Sequence, residues 1–227
     1  MRPHLLLIIL AALLLCAGSA HAADPNDFSV AEKRLFIDDH LQGLPGTTTL
    51  EYAFSKRGSL EGSVDDKARV IVGPIRSGGG RATKVDFLSG ERKLELPDVG
   101  AATGNPVILY FLEREVREMH RLTGGSVSYY RKRIRMALAE GGQVRQVTVD
   151  VGSRRLAATQ IHIAPYRDDP ARSRYEKFAE KTYTFTLSDD VPGKVVELHS
   201  ELRGPPDNPG NRPEPVIAET LRFVAKR

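Results

Sequence analysis

Cysteine is nearly missing from this chain of 227 residues: Cys16 is the only one. That excludes an internal disulfide framework, so stability has to come from a packed core. Long apolar runs are missing as well, and the stretch from Leu5 to Leu15 is too short to span a bilayer comfortably. A large excess of charge of one sign is missing too. The 33 Lys and Arg against 29 Asp and Glu give a net +4, which argues against a general nucleic-acid binder. Four of the six histidines, His40, His120, His162 and His199, lie beyond the first 22 residues, and none stands in an H-x-H or H-E-x-x-H arrangement. No G-x-S-x-G string occurs. The string RSGGGR, residues 76–81, lacks the lysine and Ser/Thr of a phosphate-binding loop, and the pairs Asp168-Asp169 and Asp189-Asp190 lack the ligand spacing of a calcium loop. No cofactor and no metal are expected, and no internal repeat or low-complexity tail is present.

What is present begins with an export signal. Arg2 and His4 precede the apolar run, and small residues follow it up to Ala20-His21-Ala22, the pattern of a cleavable secretory signal. Cleavage is expected after Ala22, with a periplasmic destination; a lipoprotein signal using Cys16 is the alternative, disfavoured by Leu15 where a small residue belongs. Residues 1–22 are then the signal and 23–227 a single domain without a transmembrane span. Losing the signal removes only Arg2 from the charged residues, which leaves 32 basic and 29 acidic side chains and a net +3. A chain of that length buries roughly 70% of its unfolded surface, enough for one core.

Ser29 and Glu32 form a capping-box pattern, predicting a short helix over 29–41. From Thr47 the pattern alternates: TTTLEYAF and ARVIV read as one hairpin across a Gly58–Gly62 turn, and ATKVDFL and RKLEL as a second across Ser89-Gly90. Asn105-Pro106 starts a helix and Gly124-Gly125 stops it, with Ile108, Leu109, Leu112, Val116, Met119 and Leu122 at helical spacing. Ser126 caps a second helix that Gly141-Gly142 ends. VRQVTVDV, LAATQIHI, KTYTFTL, KVVELHSEL and PVIAETLRFVA then read as strands, the last reached through the Pro/Gly loop 204–215. About nine short strands need a cover for their apolar face, and the mid-chain helix pair is the only large amphipathic one. The fold class is α+β: a single curved, mostly antiparallel sheet, a half-barrel, with the helix pair and the short N-terminal helix packed on it.

The segments TTLEYAF and GNPVILYF, in this order of elements, resemble the outer-membrane lipoprotein carrier superfamily. The resemblance implies a curved antiparallel sheet around inserted helices, with a concave apolar surface that shelters acyl chains. IAPYRDDPARSRYEKF followed by KTYTFTLSDDVPG resembles an uncharacterised family of exported proteobacterial proteins. Neither resemblance supplies catalytic residues.

Two stretches stand out as candidate sites. In SVSYYRKRIRMALAE, a helical projection groups Tyr130, Ile134, Ala137 and Leu138 on one arc and Arg131, Lys132 and Arg135 on the next, with Tyr129 alongside Arg133. Tyr129, Arg131, Lys132 and Arg135 are the candidate ligand-binding residues, for headgroups, phosphate or an acidic partner; a solvated helix face is the plain alternative. The segment 164–178 offers Tyr166, Arg167, Arg172 and Arg174 as a partner-binding edge, or as a crossover that protects a sheet edge. Glu197, His199 and Glu201 share one strand face, read as its wet side. The leading function is a soluble periplasmic carrier with an apolar pocket for a lipid-like ligand and no catalysis. The alternatives are an envelope interaction or assembly factor with a filled core and a protein partner, and lastly an enzyme.

Overall fold

The computed structural model describes residues 28–204 and 214–227. The expected signal segment 1–22 and most of the Pro/Gly loop before the last strand lie outside the described residues. Nine strands form one open sheet: β1 Thr48–Arg57, β2 Val64–Ile75, β3 Arg81–Phe87, β4 Val99–Ala102, β5 Gln143–Val151, β6 Arg154–Ile163, β7 Thr182–Leu187, β8 Val195–Arg203 and β9 Pro215–Lys226. Their spatial order is β4-β3-β2-β1-β9-β8-β7-β6-β5 and the pairings are antiparallel. The last strand joins two meanders by inserting between β1 and β8. The sheet is curved, and its two edges, β4 and β5, are joined in sequence by the helices α2, Val107–Thr123, and α3, Val127–Ala139. A connection from one edge to the other has to cross the sheet, so the topology itself makes this pair the roof.

Local chemistry sets the helix ends. Ser29 and Glu32 form the expected capping box, with Glu32 N–H to Ser29 Oγ and Ser29 N–H to Glu32 Oε2 both at 3.0 Å. The helix α1, Val30–Glu32, then widens into a π-helical turn at Lys33–Ile37 and stops there, four residues earlier than 29–41 predicts. Ser29 Oγ donates to the Leu138 carbonyl at 2.7 Å and fastens α1 to α3. Gly124 ends α2 in the left-handed conformation at φ 72°. Ser126 holds the N-cap position of α3, but its hydroxyl bonds to Ser128 instead of capping.

The expected RKLEL strand is a further difference. Leu88 and Gly90 take positive φ, Gly90–Arg92 forms a 3-10 turn, and only Leu94 returns, as a single bridge to Phe87. The fourth strand is Val99–Ala102. Arg81, the last residue of RSGGGR, is buried and donates to the carbonyls of Gly73, Leu41 and Leu44, so that turn anchors the loop after α1.

Register lays the roofed face out in rows. Phe54 pairs with Leu221, Leu221 with Leu198, Leu198 with Phe185 and Phe185 with Ile161, five strands in succession, each side chain at most 1% exposed. At 1.5–3 kcal/mol for each fully buried large apolar side chain, this row is a main source of stability. From above, α2 sets Val107, Phe111 and Met119 into the core and α3 sets Tyr130, Ile134 and Leu138. Of the projected α3 arc only Ala137 is less than fully buried. The buried side chains of the core lie between roof and sheet. The opposite face is mostly wet, with His162 bonded to Thr184 and His199 to Thr220, beside a small apolar cluster of Leu156, Val191 and Val196.

Candidate functional site

Two residues along each strand, the apolar row gives way to an ionic one. Lys56 pairs with Glu219, Glu219 with Ser200, and Ser200 with Tyr183, on the same roofed face. Above them α2 presents Arg114, Glu115 and Glu118, adjacent on one side of a helix by spacing, with Arg121 one turn further on. Arg114 holds Glu219 in a two-pronged bond, Nε to Oε2 at 2.8 Å and Nη2 to Oε1 at 2.7 Å, with its guanidinium 5.1 Å from the centre of the Phe54 ring. Glu115 takes the Lys181 ammonium at 2.5 Å and the Ser200 hydroxyl at 2.7 Å, and both members of that ion pair are fully buried. Glu118 takes Lys56 at 2.8 Å and Arg121 at 2.7 and 2.9 Å. Glu61, in the β1–β2 turn, is bonded by Lys56 and by Arg121, the latter at 2.6 Å.

Four carboxylates therefore meet four cations between roof and sheet, and two of them, Glu219 and Glu118, are pulled apart in their titration. Burial, reinforced by the charge of Glu115, pushes the Glu219 carboxyl up to about 7 against the pull of Arg114. Burial would raise Glu118 too, but the bonds from Arg121 and Lys56 overcome it and hold that carboxyl at about 2. Lys56 is raised, since its bonds to Glu118 and Glu61 outweigh desolvation. A groove of about 420 Å³ opens at this end of the seam, lined by Lys56, Glu61, Glu118 and Arg121 together with Arg92, Lys93 and Arg117. A second open depression, of about 390 Å³, lies by Asp66, Arg69 and Arg227. Charged residues dominate both, unlike the aliphatic pocket expected from the sequence.

The other end of the seam is aromatic. Tyr130 of α3 meets Tyr129, Tyr166 and Tyr175 edge to face at 5.6–5.9 Å between centroids, and Tyr166 meets Tyr183 at 6.2 Å. The Tyr130 hydroxyl bonds to Thr123 at 2.6 Å. The Tyr166 and Tyr183 hydroxyls lie 3.3 Å apart, both raised by burial beyond the ordinary phenol range.

The residues singled out from the sequence separate here. Tyr129 donates to the buried Asp169 at 2.6 Å, and Arg133 reaches the same carboxylate at 2.9 Å. Asp169 also accepts from the Ala171 amide at 2.8 Å; burial opposes ionisation, but these partners and Tyr175 hold its carboxyl below the usual range. Tyr129 is thus a fastener between α3 and the 164–178 segment. Arg131 is exposed and bonded to Glu113 at 2.9 Å, and Lys132 and Arg135 are exposed with no ion pair to any described residue. Tyr166 is a core residue, 0% exposed, so its ring cannot face a partner; aromatic size and the Tyr183 hydroxyl draw it inward. Arg167 and Arg172 are exposed and share Glu180, at 3.0 and 3.5 Å, and Arg174 is exposed. Sequence reasoning missed Glu115, Glu118, Lys181 and Glu219. Their one signal was that the charges of REVRE recur on the helix face that also carries Val116 and Met119.

No protein-family model matches the chain, and no curated protein matches it. Among solved structures it is similar to the lipoprotein LppX of Mycobacterium tuberculosis, at 13% identity and a TM-score of 0.33, over 85% of this chain and 91% of that one. It is also similar to a LolA superfamily protein of Nitrosomonas europaea, at 7% identity and a TM-score of 0.23, over 87% of this chain and 92% of that one. The architecture is carried by the strands and helices of the chain itself, and the likeness to these two adds no argument to it. At such scores it carries nothing about ligand or partner, which rest on the residues themselves. Among the described residues no helix is long and apolar enough to cross a membrane.

Proposed function

We propose that the chain is an exported, non-catalytic binding protein whose apolar sheet row receives the hydrophobic part of a lipid-like ligand when the α2–α3 roof lifts. One observation carries this reading: five successive strands present a continuous apolar row whose cover is a helix pair seated partly by ions. A buried ion pair adds little net stability over apolar packing, because desolvation offsets most of its attraction, while it fixes one seating of the parts it joins. A roof held that way at one end separates at lower cost than one held by apolar contact throughout. The test is to purify the mature chain without detergent, extract it with organic solvent for mass spectrometry, and titrate the stripped protein with a long-chain alcohol. Extractable lipid or saturable binding is expected; a clean extract together with no saturable binding ends the reading.

A second reading, an envelope interaction or assembly factor, is favoured by the buried apolar core and by the exposed β5 edge. In it the exposed Lys132 and Arg135, or Arg172 and Arg174, meet an acidic protein. Crosslinking in the envelope should then capture one partner, and reversing the charge of Arg172 and Arg174 should abolish the capture.

A further inference from the structure

Glu61 holds a position that its turn alone does not require. The turn is locked to the start of β9: the amides of Ser59 and Leu60 donate to the carbonyls of Pro215 and Val216 at 3.2 and 2.9 Å. Gly58, at φ +137°, permits this approach, since a Cβ there would stand 2.3 Å from the Val216 carbonyl oxygen. The backbone so fixed places Glu61 in the lining of the 420 Å³ groove. Its two oxygens are taken by cations from two other elements, Oε2 by Lys56 of β1 and Oε1 by Arg121 of α2. Glu118 is the other carboxylate hydrogen-bonded to these two cations, while Glu219, which Lys56 approaches at 3.8 Å, is bound by Arg114. Without Glu61, two positive charges face the single negative charge of Glu118, where the Lys56 side chain is 8% exposed. Lys56 would still hold Glu118, but it shares that carboxylate with Arg121, so the pair of cations is one negative charge short.

We infer that Lys56 and Arg121 form an anion-binding site, that Glu61 is a tethered anion filling it in the free protein, and that the carboxylate or phosphate of a ligand displaces Glu61. A planar guanidinium beside a compact ammonium suits either anion. The Glu61 side chain is one-third exposed, so it swings outward without disturbing the sheet. Arg92, Lys93 and Arg117, each about half exposed, also line the groove beside Glu91, and each is paired with an acid of its own, Asp66, Glu95 and Glu113 respectively. The inference rests on the proposed binding role for the ligand's tail and adds a charged head.

The test measures binding of dodecanoate, dodecanol and inorganic phosphate to the wild-type chain, Glu61→Gln and Arg121→Gln. With the competing carboxylate gone, Glu61→Gln should bind dodecanoate roughly three- to tenfold more tightly, dodecanol should be unchanged, and Arg121→Gln should weaken dodecanoate by a similar factor. A gain for phosphate without one for dodecanoate identifies a free anion as the ligand and keeps the site. If neither anion responds to Glu61→Gln, the site is wrong, and saturable dodecanol binding would then leave the apolar reading standing. If phosphate responds and neither amphiphile binds, the site stands and the apolar reading falls.

Discussion

The two ends of the roof–sheet seam solve the same problem with opposite chemistry. Where α3 lies over β6 and β7, five tyrosines stack edge to face around Tyr130 and Tyr166, and hydroxyls close the contacts. Where α2 lies over β1, β8 and β9, four carboxylates and four cations do so. Aromatic contacts add about 0.5–1.5 kcal/mol per pair beyond area and do not change with pH. Ion pairs in a dry seam nearly break even when complete and are costly when half removed. In the proposed lifting of the roof, the tyrosine end is the hinge side and the ionic end the side that opens.

The strongest test of that contrast is to remove half of a pair. Lys181→Met leaves Glu115 buried with only the Ser200 hydroxyl, and should cost about 3–5 kcal/mol in urea unfolding. Adding Glu115→Leu should restore most of the loss, because an apolar pair of similar volume needs no compensation. At the aromatic end no such rescue exists: Tyr166→Ala should cost a similar 3–5 kcal/mol through the cavity it leaves, and no second substitution on a neighbouring tyrosine should recover it.

A pH series sharpens the comparison further. Glu219, folded at about 7 against an ordinary 4.5, keeps its proton in the folded state across a window where the unfolded chain has lost it. Its burial therefore lowers stability progressively as pH rises from about 4.5 to 7. Glu118, held at about 2, acts in the opposite sense: its contribution is whole above 4.5 and is lost as pH falls toward 2. The ionic end is thus tightest near pH 4.5–5. His40 opposes this trend below its ordinary 6.5: burial lowers it, and its Nδ1 accepts the Asn105 amide at 3.0 Å, a bond that protonation breaks. The decisive quantity is therefore the difference between wild type and Glu219→Gln: the wild-type urea midpoint should fall relative to the variant between pH 5 and 7.5. Parallel midpoints across that range would remove Glu219 as the titrating group.

The sheet was legible because alternation is local: Tyr183, Phe185 and Leu187 announce a face without reference to anything distant. The helix pair was legible from its stops and spacing. RKLEL misled because alternation cannot report the positive φ at Leu88 and Gly90 that turns the chain aside. The ionic end was hidden for a different reason. Glu115 and Glu118 look like ordinary polar positions until Lys181, 66 residues from Glu115, and Glu219 are brought under them by strand order. In the same way Asp169, read as one of a loop pair, becomes the carboxylate on which Tyr129 and Arg133 converge.

The smallest effects fall within α3. Arg131 and Tyr129 stand two residues apart on α3, yet one touches solvent and Glu113 while the other reaches a buried carboxylate. Arg131→Ala removes a half-exposed ion pair and should change stability by no more than about 1 kcal/mol, an amount that salt already screens in the wild type. Tyr129→Phe takes a hydrogen bond from a charged, buried acceptor and should cost about 1.5–3 kcal/mol, with little dependence on salt. Urea unfolding at low and high ionic strength separates the two. Equal, salt-sensitive losses would mean that Tyr129 belongs to the solvated face and that Asp169 is held without it, and the tyrosine end would then be weaker than its geometry implies.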